Sequence, residues 1–259
     1  MKNKVGNKRK RELGTNGGLM MRLADIDLTQ RLNRAEYQEK LSQLQLAHLQ
    51  YQAMMIEKDV AIIMVFEGWD ASGKGGAIKR ITEKLDPRTY EVHPIGAPTP
   101  IELQHHYMRR FWVRLPRHGQ MALFDRSWYG RVLVERVEKL CEKEAWRRAY
   151  REINEFERLL LDDKTLLLKF FLHISPEEQL KRFKDREENP YKRWKITSED
   201  WRNRDKWAEY HKAIDEMLEK THTATAPWYL IPFEDKKYGR IRIMEIILQR
   251  YKRFFKYVL

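Results

Sequence analysis

Gly68-Trp69-Asp70-Ala71-Ser72-Gly73-Lys74-Gly75 is the stretch of this sequence with the most chemistry in it. The spacing G-x-x-x-x-G-K suits a loop that wraps around phosphate. Gly68 and Gly73 let the backbone turn, so that N–H groups of Ala71, Ser72, Gly73, Gly75 and Gly76 point inward at anionic oxygens. Lys74 would bridge phosphates at the transferring end. A following helix would add the positive potential of its N-terminus and, through Lys79 and Arg80, two more cations. Such loops usually carry Ser or Thr after the lysine, to hold Mg²⁺. Here Gly75 stands in that place, so a cation must be held in another way. Asp70 lies inside the loop, and a carboxylate beside phosphate makes sense only with a cation between them. The plain alternative is a glycine turn with no ligand.

A second acid sits in Leu123-Phe124-Asp125-Arg126-Ser127. Asp125 ends a short apolar run that reads as a buried strand. Ligands of open α/β sheets bind at such strand ends. Asp125 is therefore the second candidate metal ligand, and Arg126 and Arg131 are candidates for contact with the donor's phosphates. The alternative role for Asp125 is to cap the next helix.

A third group is basic and rich in tryptophan. Arg182, Lys184, Arg186, Lys192, Arg193, Lys195, Arg202, Arg204 and Lys206 are interleaved with Trp194, Trp201 and Trp207. The pattern fits a lid that closes over phosphates, with Arg186 reaching the transferring group. It also fits stacking of nucleic-acid bases, or a solvated helix face with the tryptophans packed inward. His93, His105 and His106 read as surface or substrate-loop histidines, since no Cys or spaced acid joins them in a metal site.

These side chains need a frame. Residues 60–66, 120–124, 165–174 and 228–232 read as strands, the third interrupted only by Lys169. Continuous apolar runs of this length suit a parallel sheet covered on both faces. Helices are expected at 34–58, from the recurrence of Tyr37, Leu41, Leu44, Leu49 and Met54, and at 77–85. Trp146, Ala149, Tyr150, Ile153, Phe156 and Leu160 mark a long amphipathic helix. Ser175-Pro176-Glu177-Glu178, in which Glu178 would complete a capping box with Ser175, and Thr197-Ser198-Glu199-Asp200 both read as capped helix starts, with a turn at Asn189-Pro190 between them. Ile241, Ile243, Ile246, Ile247 and Tyr251 mark the last helix. Strands alternating with helices predict an α/β fold with a parallel sheet. The charged helical pair over 176–220 reads as an insertion over one sheet edge.

Composition bounds the rest. A chain of 259 residues suits one sizeable core better than two. Its net charge of +13 calls for a polyanionic partner: nucleic acid, a membrane surface or a phosphate-rich substrate. Residues 1–19 read as a disordered basic tail, a solvated arm rather than a localisation or RNA-binding signal, and the remainder stays basic. Residues 20–259 read as a single domain with an N-terminal helical extension and a lid at about 176–210. The one cysteine, Cys141, excludes an intrachain disulfide. No opening segment reads as a signal peptide and no apolar run is long enough to span a bilayer, so the cytoplasm is the expected compartment.

Taken together, the motifs resemble those of the type 2 polyphosphate kinases. Phe66-Glu67-Gly68-Trp69-Asp70-Ala71-Ser72-Gly73-Lys74-Gly75-Gly76-Ala77-Ile78-Lys79-Arg80 is similar to their first motif, and Leu123 through Arg131 to their second. Arg186, Lys192-Arg193-Trp194-Lys195 and Ala226-Pro227-Trp228-Tyr229 resemble their lid and final-strand signatures. The resemblance runs from about Asp27 to the C-terminus. It implies a thymidylate-kinase-like P-loop fold, a three-layer α/β sandwich with a parallel sheet and a helical lid. It implies reversible phosphoryl transfer between inorganic polyphosphate and nucleotides, with Mg²⁺ as cofactor and Mn²⁺ as an alternative. Asp70, Lys74, Asp125, Arg126 and Arg186 match the family's functional positions. The resemblance further implies a homodimer or homotetramer, and no membrane or nucleic-acid partner. Ser127 through Arg136 and Trp194-Lys195-Ile196-Thr197 look closest to the AMP-accepting members, with ADP as a further acceptor. An ATP-dependent nucleotide kinase and a basic nucleic-acid-binding protein with a structural loop are the rival readings.

Overall fold

The computed structural model describes residues 22–258, so the expected basic tail lies outside the described residues. Five parallel strands form one sheet in the order β2-β3-β1-β4-β5. They are β1 (Ile62–Gly68), β2 (Tyr90–Pro94), β3 (Met121–Asp125), β4 (Leu166–His173) and β5 (Trp228–Pro232). The apolar runs at β1 and β4 are buried almost throughout, as a sheet covered on both faces requires.

The helices are α1 (Arg34–Glu57), α2 (Lys74–Thr82), the single turns α3 (Pro100–Leu103), α4 (Arg109–Trp112) and α5 (Val134–Val137), α6 (Lys143–Asp162), α7 (Pro176–Glu188), α8 (Ser198–Asp205), α9 (Trp207–Thr221) and α10 (Lys236–Val258). On one face α10 packs against α1, α2 and β4; on the other, α6 packs against β4, α5 and α9. The result is the expected three-layer α/β sandwich. No helix among the described residues is long and apolar enough to cross a membrane.

Four differences from the sequence reading have physical causes. β2 escapes the pattern because Tyr-Glu-Val-His-Pro is a half-exposed edge strand with no apolar run. His93 on it is not a surface residue; it is buried and tilts onto Phe124. In α1 the inward face carries Gln45, His48, Gln52 and Met55, while Leu49 is exposed. The two glutamines face inward because their amides bond backbone: Gln45 donates to the Arg80 carbonyl (2.8 Å), and Gln52 both donates to and accepts from Asp86. At Ser175 the reciprocal capping box does not form. The Ser175 hydroxyl accepts from the Glu178 N–H, but Glu178's carboxylate turns to Arg182, and Ser175's N–H donates to Glu234.

Candidate active site

β1 ends at Gly68, and its partner β3 brings Asp125 level with Phe66. The loop turns tightly here. Gly68 has φ +146°, and a Cβ on it would fall 2.5 Å from the Leu172 carbonyl oxygen on β4. Gly73, at φ +112°, faces the Phe233 ring at 2.9 Å in the same sense. Ala71 and Arg126 also take positive φ, 58° and 67°. Such backbone costs on the order of 1–3 kcal/mol and persists where the surroundings enforce it. Here it marks the two motifs that meet: Arg126's N–H donates to the Phe66 carbonyl at 3.0 Å.

The charged side chains converge on this meeting point. Arg126 donates to one Asp70 oxygen at 2.8 Å, and the Asn203 amide of α8 donates to the other at 2.9 Å. Burial alone would raise the Asp70 carboxyl's pKa, but the charges of Arg126 and Lys74 and the Asn203 bond outweigh it and hold it below the usual carboxylate range. Lys74 folds back on the loop, donating to the carbonyls of Gly68 (2.8 Å) and Trp69 (3.2 Å). Its pKa is pushed down by burial first, against the pull of Asp125 and with the push of Arg126. Asp125's carboxylate lies 3.7 Å from where a Cβ on Gly75 would stand. The acid thus occupies the neighbourhood that the missing Ser/Thr side chain leaves open.

Sequence reasoning assigned no role to several residues gathered here. Glu67 is buried and accepts from the Ser127 hydroxyl at 2.8 Å, and burial raises its pKa. A lone acid closing an apolar strand was the available signal. Trp69 stacks flat on Trp207 at 3.6 Å, and its indole N–H donates to His173 Nδ1 at 2.9 Å. An indole nitrogen only donates, so Nδ1 is the unprotonated nitrogen. Burial pushes the His173 pKa down to about 4, in keeping with that neutral state.

The lid is braced by Arg182. It is almost wholly buried and donates to the carbonyls of Ala71, Ser72, Phe233 and Glu234 at 2.6 to 3.1 Å. Arg186, one turn further along α7, bonds the Lys195 carbonyl at 3.4 Å instead. The helical pair therefore covers the C-terminal ends of the strands and the loop itself, with α9 packed back on α5 and α6. Among the three tryptophans, Trp207 packs on the loop and Trp201 sets its ring edge against Phe183, but Trp194 is exposed.

Of the remaining candidates, Ser72 lies in the loop with its hydroxyl buried and unpartnered among the described residues. Arg131 is drawn away by Glu135 (2.9 Å) and stacks over Tyr107. Arg80 pairs with Glu83 at 3.1 Å, and Lys79 is exposed on α2.

The profile of the family described as Polyphosphate kinase 2 matches residues 31–256. The chain belongs to the polyphosphate kinase 2 family. It is 53% identical to a polyphosphate:AMP phosphotransferase of Acinetobacter johnsonii over 75% of this chain and 41% of that one. It is 39% identical to an ADP-polyphosphate phosphotransferase of Pseudomonas aeruginosa over 85% of this chain and 72% of that one. The crystal structure of Polyphosphate Kinase 2 from Arthrobacter aurescens TC1 superposes with a TM-score of 0.87 at 28% identity, covering 91% of this chain and 87% of that one. The chain spans under half the length of the polyphosphate:AMP phosphotransferases it matches.

Proposed function

We propose that this chain transfers the terminal phosphoryl group of inorganic polyphosphate to AMP, and also to ADP, in a reversible reaction that depends on Mg²⁺. The observation that carries the proposal is Asp125 standing beside Gly75, so that two acids, Asp70 and Asp125, take over the cation-holding task of the missing hydroxyl. The names of the family relatives support polyphosphate as donor. AMP comes first as acceptor because the AMP phosphotransferase is the more similar, 53% against 39% identity.

In the proposed reaction an oxygen of the acceptor's phosphate attacks the chain's terminal phosphorus in line. The bond from that phosphorus to its bridging oxygen breaks, and the chain leaves one unit shorter. The attacking oxygen is already ionised at neutral pH, so no strong base is needed. Positioning and charge neutralisation do the work. The loop N–H groups and Lys74 hold the donor's end, with Arg126 facing the group in transfer. Arg182 and Gln179, bonded to the loop's carbonyls, keep that cradle in shape.

Mg²⁺ is bound readily by one or two carboxylates completed by water and phosphate oxygens. Asp70 within the loop and Asp125 beside Gly75 are the two carboxylates this site offers for it. When bound, the ion would neutralise phosphate charge at Asp70 and Asp125; Mn²⁺ would serve in the same place. Self-association as a dimer or tetramer is part of the proposal, supported by Leu46, Leu49 and Ile56, which recur along one exposed face of α1. An activity on nucleotides and polyphosphate suits the cytoplasm.

The test is to supply the protein with Mg²⁺ and either long-chain polyphosphate or ATP as donor, and AMP or ADP as acceptor. ADP from AMP and ATP from ADP with polyphosphate are the expected products. Transfer from ATP alone would replace the reading with a nucleotide kinase.

A further inference from the structure

Trp69 stands at the start of the phosphate loop, between Gly68 and Asp70. Its carbonyl accepts from the Lys74 ammonium at 3.2 Å and from the Ser72 N–H at 3.0 Å. A rotation of this one residue would carry off the anchor of Lys74 and swing the Asp70 carboxylate that follows. The side chain is held from two directions. Its indole N–H donates to His173 on β4, and the Trp207 ring lies flat on it, 3.6 Å away and within 5° of parallel. The other aromatic contacts among the described residues stand at 4.6 to 6.4 Å. Aromatic pairs left to themselves prefer an offset or edge-on approach to a face-to-face sandwich. The flat stack is therefore imposed by what holds each ring.

What holds Trp207 is α9. Trp207 is its first residue, and Ala213, Ile214, Met217 and Leu218 bury the inner face of the helix in the core. The Leu23 N–H donates to Asp215 on the same helix at 3.0 Å. Lys206, just before Trp207, is tied to Glu138 at 2.7 Å. The ring thus forms a fixed wall, with the loop's indole set between it and His173. Four positions earlier, Asn203 bonds Asp70 itself. Two consecutive loop residues, Trp69 and Asp70, so rest on two residues at the joint of α8 and α9. A carboxylate and an ammonium that act on phosphate must be aimed closely, since a misplacement of about 1 Å can cost on the order of 10²-fold in rate.

We propose that Trp207 is a positioning residue for phosphoryl transfer: it clamps Trp69 against His173, and so fixes the aim of the Asp70 carboxylate and of the carbonyl that anchors Lys74. The proposal deepens the reading of this site as one that moves phosphate, and rests on it. Trp207 acts through Trp69. Packing alone would ask only for an apolar side chain of similar bulk at position 207, whereas a clamp asks for a flat one. A tryptophan that stacked on the acceptor's base would act on acceptor affinity instead.

The experiment compares wild type with Trp207→Leu and Trp207→Phe by steady-state kinetics with polyphosphate and AMP at saturating Mg²⁺, by thermal melting, and by circular dichroism without substrate. Two indoles stacked flat couple their electronic transitions, so the wild type should show a pair of opposite-signed bands that both variants lose. Per folded molecule, Trp207→Leu is expected to lose about tenfold or more in kcat, with the KM for AMP within about threefold of wild type. Trp207→Phe, smaller but flat, should recover most of that loss at a similar melting temperature. Wild-type kcat in Trp207→Leu, an equal loss in both variants, a rise in the KM for AMP in place of the fall in kcat, or a wild type without the coupled bands would overturn the proposal. Trp69→Phe keeps a ring against Trp207 and removes the bond to His173, so it carries the test where Trp207→Leu does not fold. It should lower kcat severalfold, and wild-type turnover there would overturn the proposal as well. No turnover by the wild type would remove the function and the proposal with it, a result distinct from a folded variant that turns over as wild type does.

Discussion

Two of the buried clusters of charge among the described residues are built on opposite terms. In one, Lys169 of β4 donates to Glu157 (2.7 Å), to the Tyr129 hydroxyl (3.0 Å) and to the Thr221 carbonyl (2.8 Å). Glu157 accepts in addition from Tyr129 (2.7 Å) and from the Trp128 indole (3.2 Å). Every donor of the ammonium has a partner, and both residues are fully enclosed. In the other cluster Lys74 turns back on its own loop's carbonyls, Asp70 is held by Arg126 and Asn203, and the Ser72 hydroxyl has no partner among the described residues. The first cluster is complete and ties β4 to α6 and to the turn after Asp125. The second is incomplete, and its backbone is strained. A charge network that closes on itself serves the fold, while one left open waits for a ligand.

The largest effect should come from breaking the open cluster. Lys74→Ala is expected to lower turnover by about 10³-fold or more, the scale of losing a positioned electrostatic contact together with its Coulomb partner. The melting temperature should hardly move, because the ammonium's own bonds are to loop carbonyls that can turn to water. Steady-state kinetics beside a thermal melt checks both halves.

Breaking the closed cluster should do the reverse. Lys169→Met leaves Glu157 buried and unpaired, which costs about 3–5 kcal/mol. That corresponds to a fall in melting temperature of about 10 °C or more for a chain of this size. Turnover per folded molecule should change far less than in Lys74→Ala. Pairing the change with Glu157→Leu should recover most of the stability, since replacing both partners by apolar groups removes the buried charge. A double variant no more stable than the single would show that the network does more than neutralise itself.

Acid offers a milder probe of the same contrast. His173, which accepts the Trp69 bond, and His48, stacked on Tyr251 with neither ring nitrogen partnered among the described residues, both have folded pKa values pushed from 6.5 down to about 4 by burial. Between those values the unfolded imidazoles bind protons that the folded ones refuse. Stability must therefore fall as pH drops from 6.5 toward 4, by on the order of 2 kcal/mol for each histidine, about 4 kcal/mol for the pair, between pH 7 and pH 5. Urea unfolding at the two pH values measures it. Replacing His48 with Phe and His173 with Asn should flatten the slope.

The smallest effect is the most local. Asn203→Ala frees one Asp70 oxygen from its orienting bond, and loss of such a bond costs a metal site about tenfold in affinity. A Mg²⁺ titration of the rate should shift to higher concentration by that factor, with turnover at saturating Mg²⁺ close to wild type. No shift would mean that Asp70 does not hold the ion.

What the sequence revealed follows from how local each feature is. Strands β1, β3, β4 and β5 are continuous apolar runs, and the loop and Asp125 sit where strand ends had to put them. β2 was hidden because an edge strand needs only one covered side. The inward face of α1 was misread because Gln45 and Gln52 are buried for the backbone bonds they make with residues more than thirty positions away. The lid posed a similar problem. Arg182 and Arg186 lie one helical turn apart, and composition cannot distinguish the one that reaches the loop; the hint was Phe183, the apolar position beside Arg182 on the buried side of α7. The Trp69–Trp207 stack and the Asp70–Asn203 bond join residues over a hundred positions apart. Nothing in a local pattern announces such pairs, yet they bring the lid down onto the phosphate loop.

The open cluster is proposed to move phosphate from polyphosphate to AMP through the acids that replace the loop hydroxyl. Phosphorus NMR of one tube containing the protein, Mg²⁺, long-chain polyphosphate and AMP tests it most directly. The β-phosphate signal of ADP should rise as phosphate is lost from the chain, and Asp125→Asn should abolish the rise while remaining folded. No ADP signal from the wild type, or an undiminished one from Asp125→Asn, would contradict it.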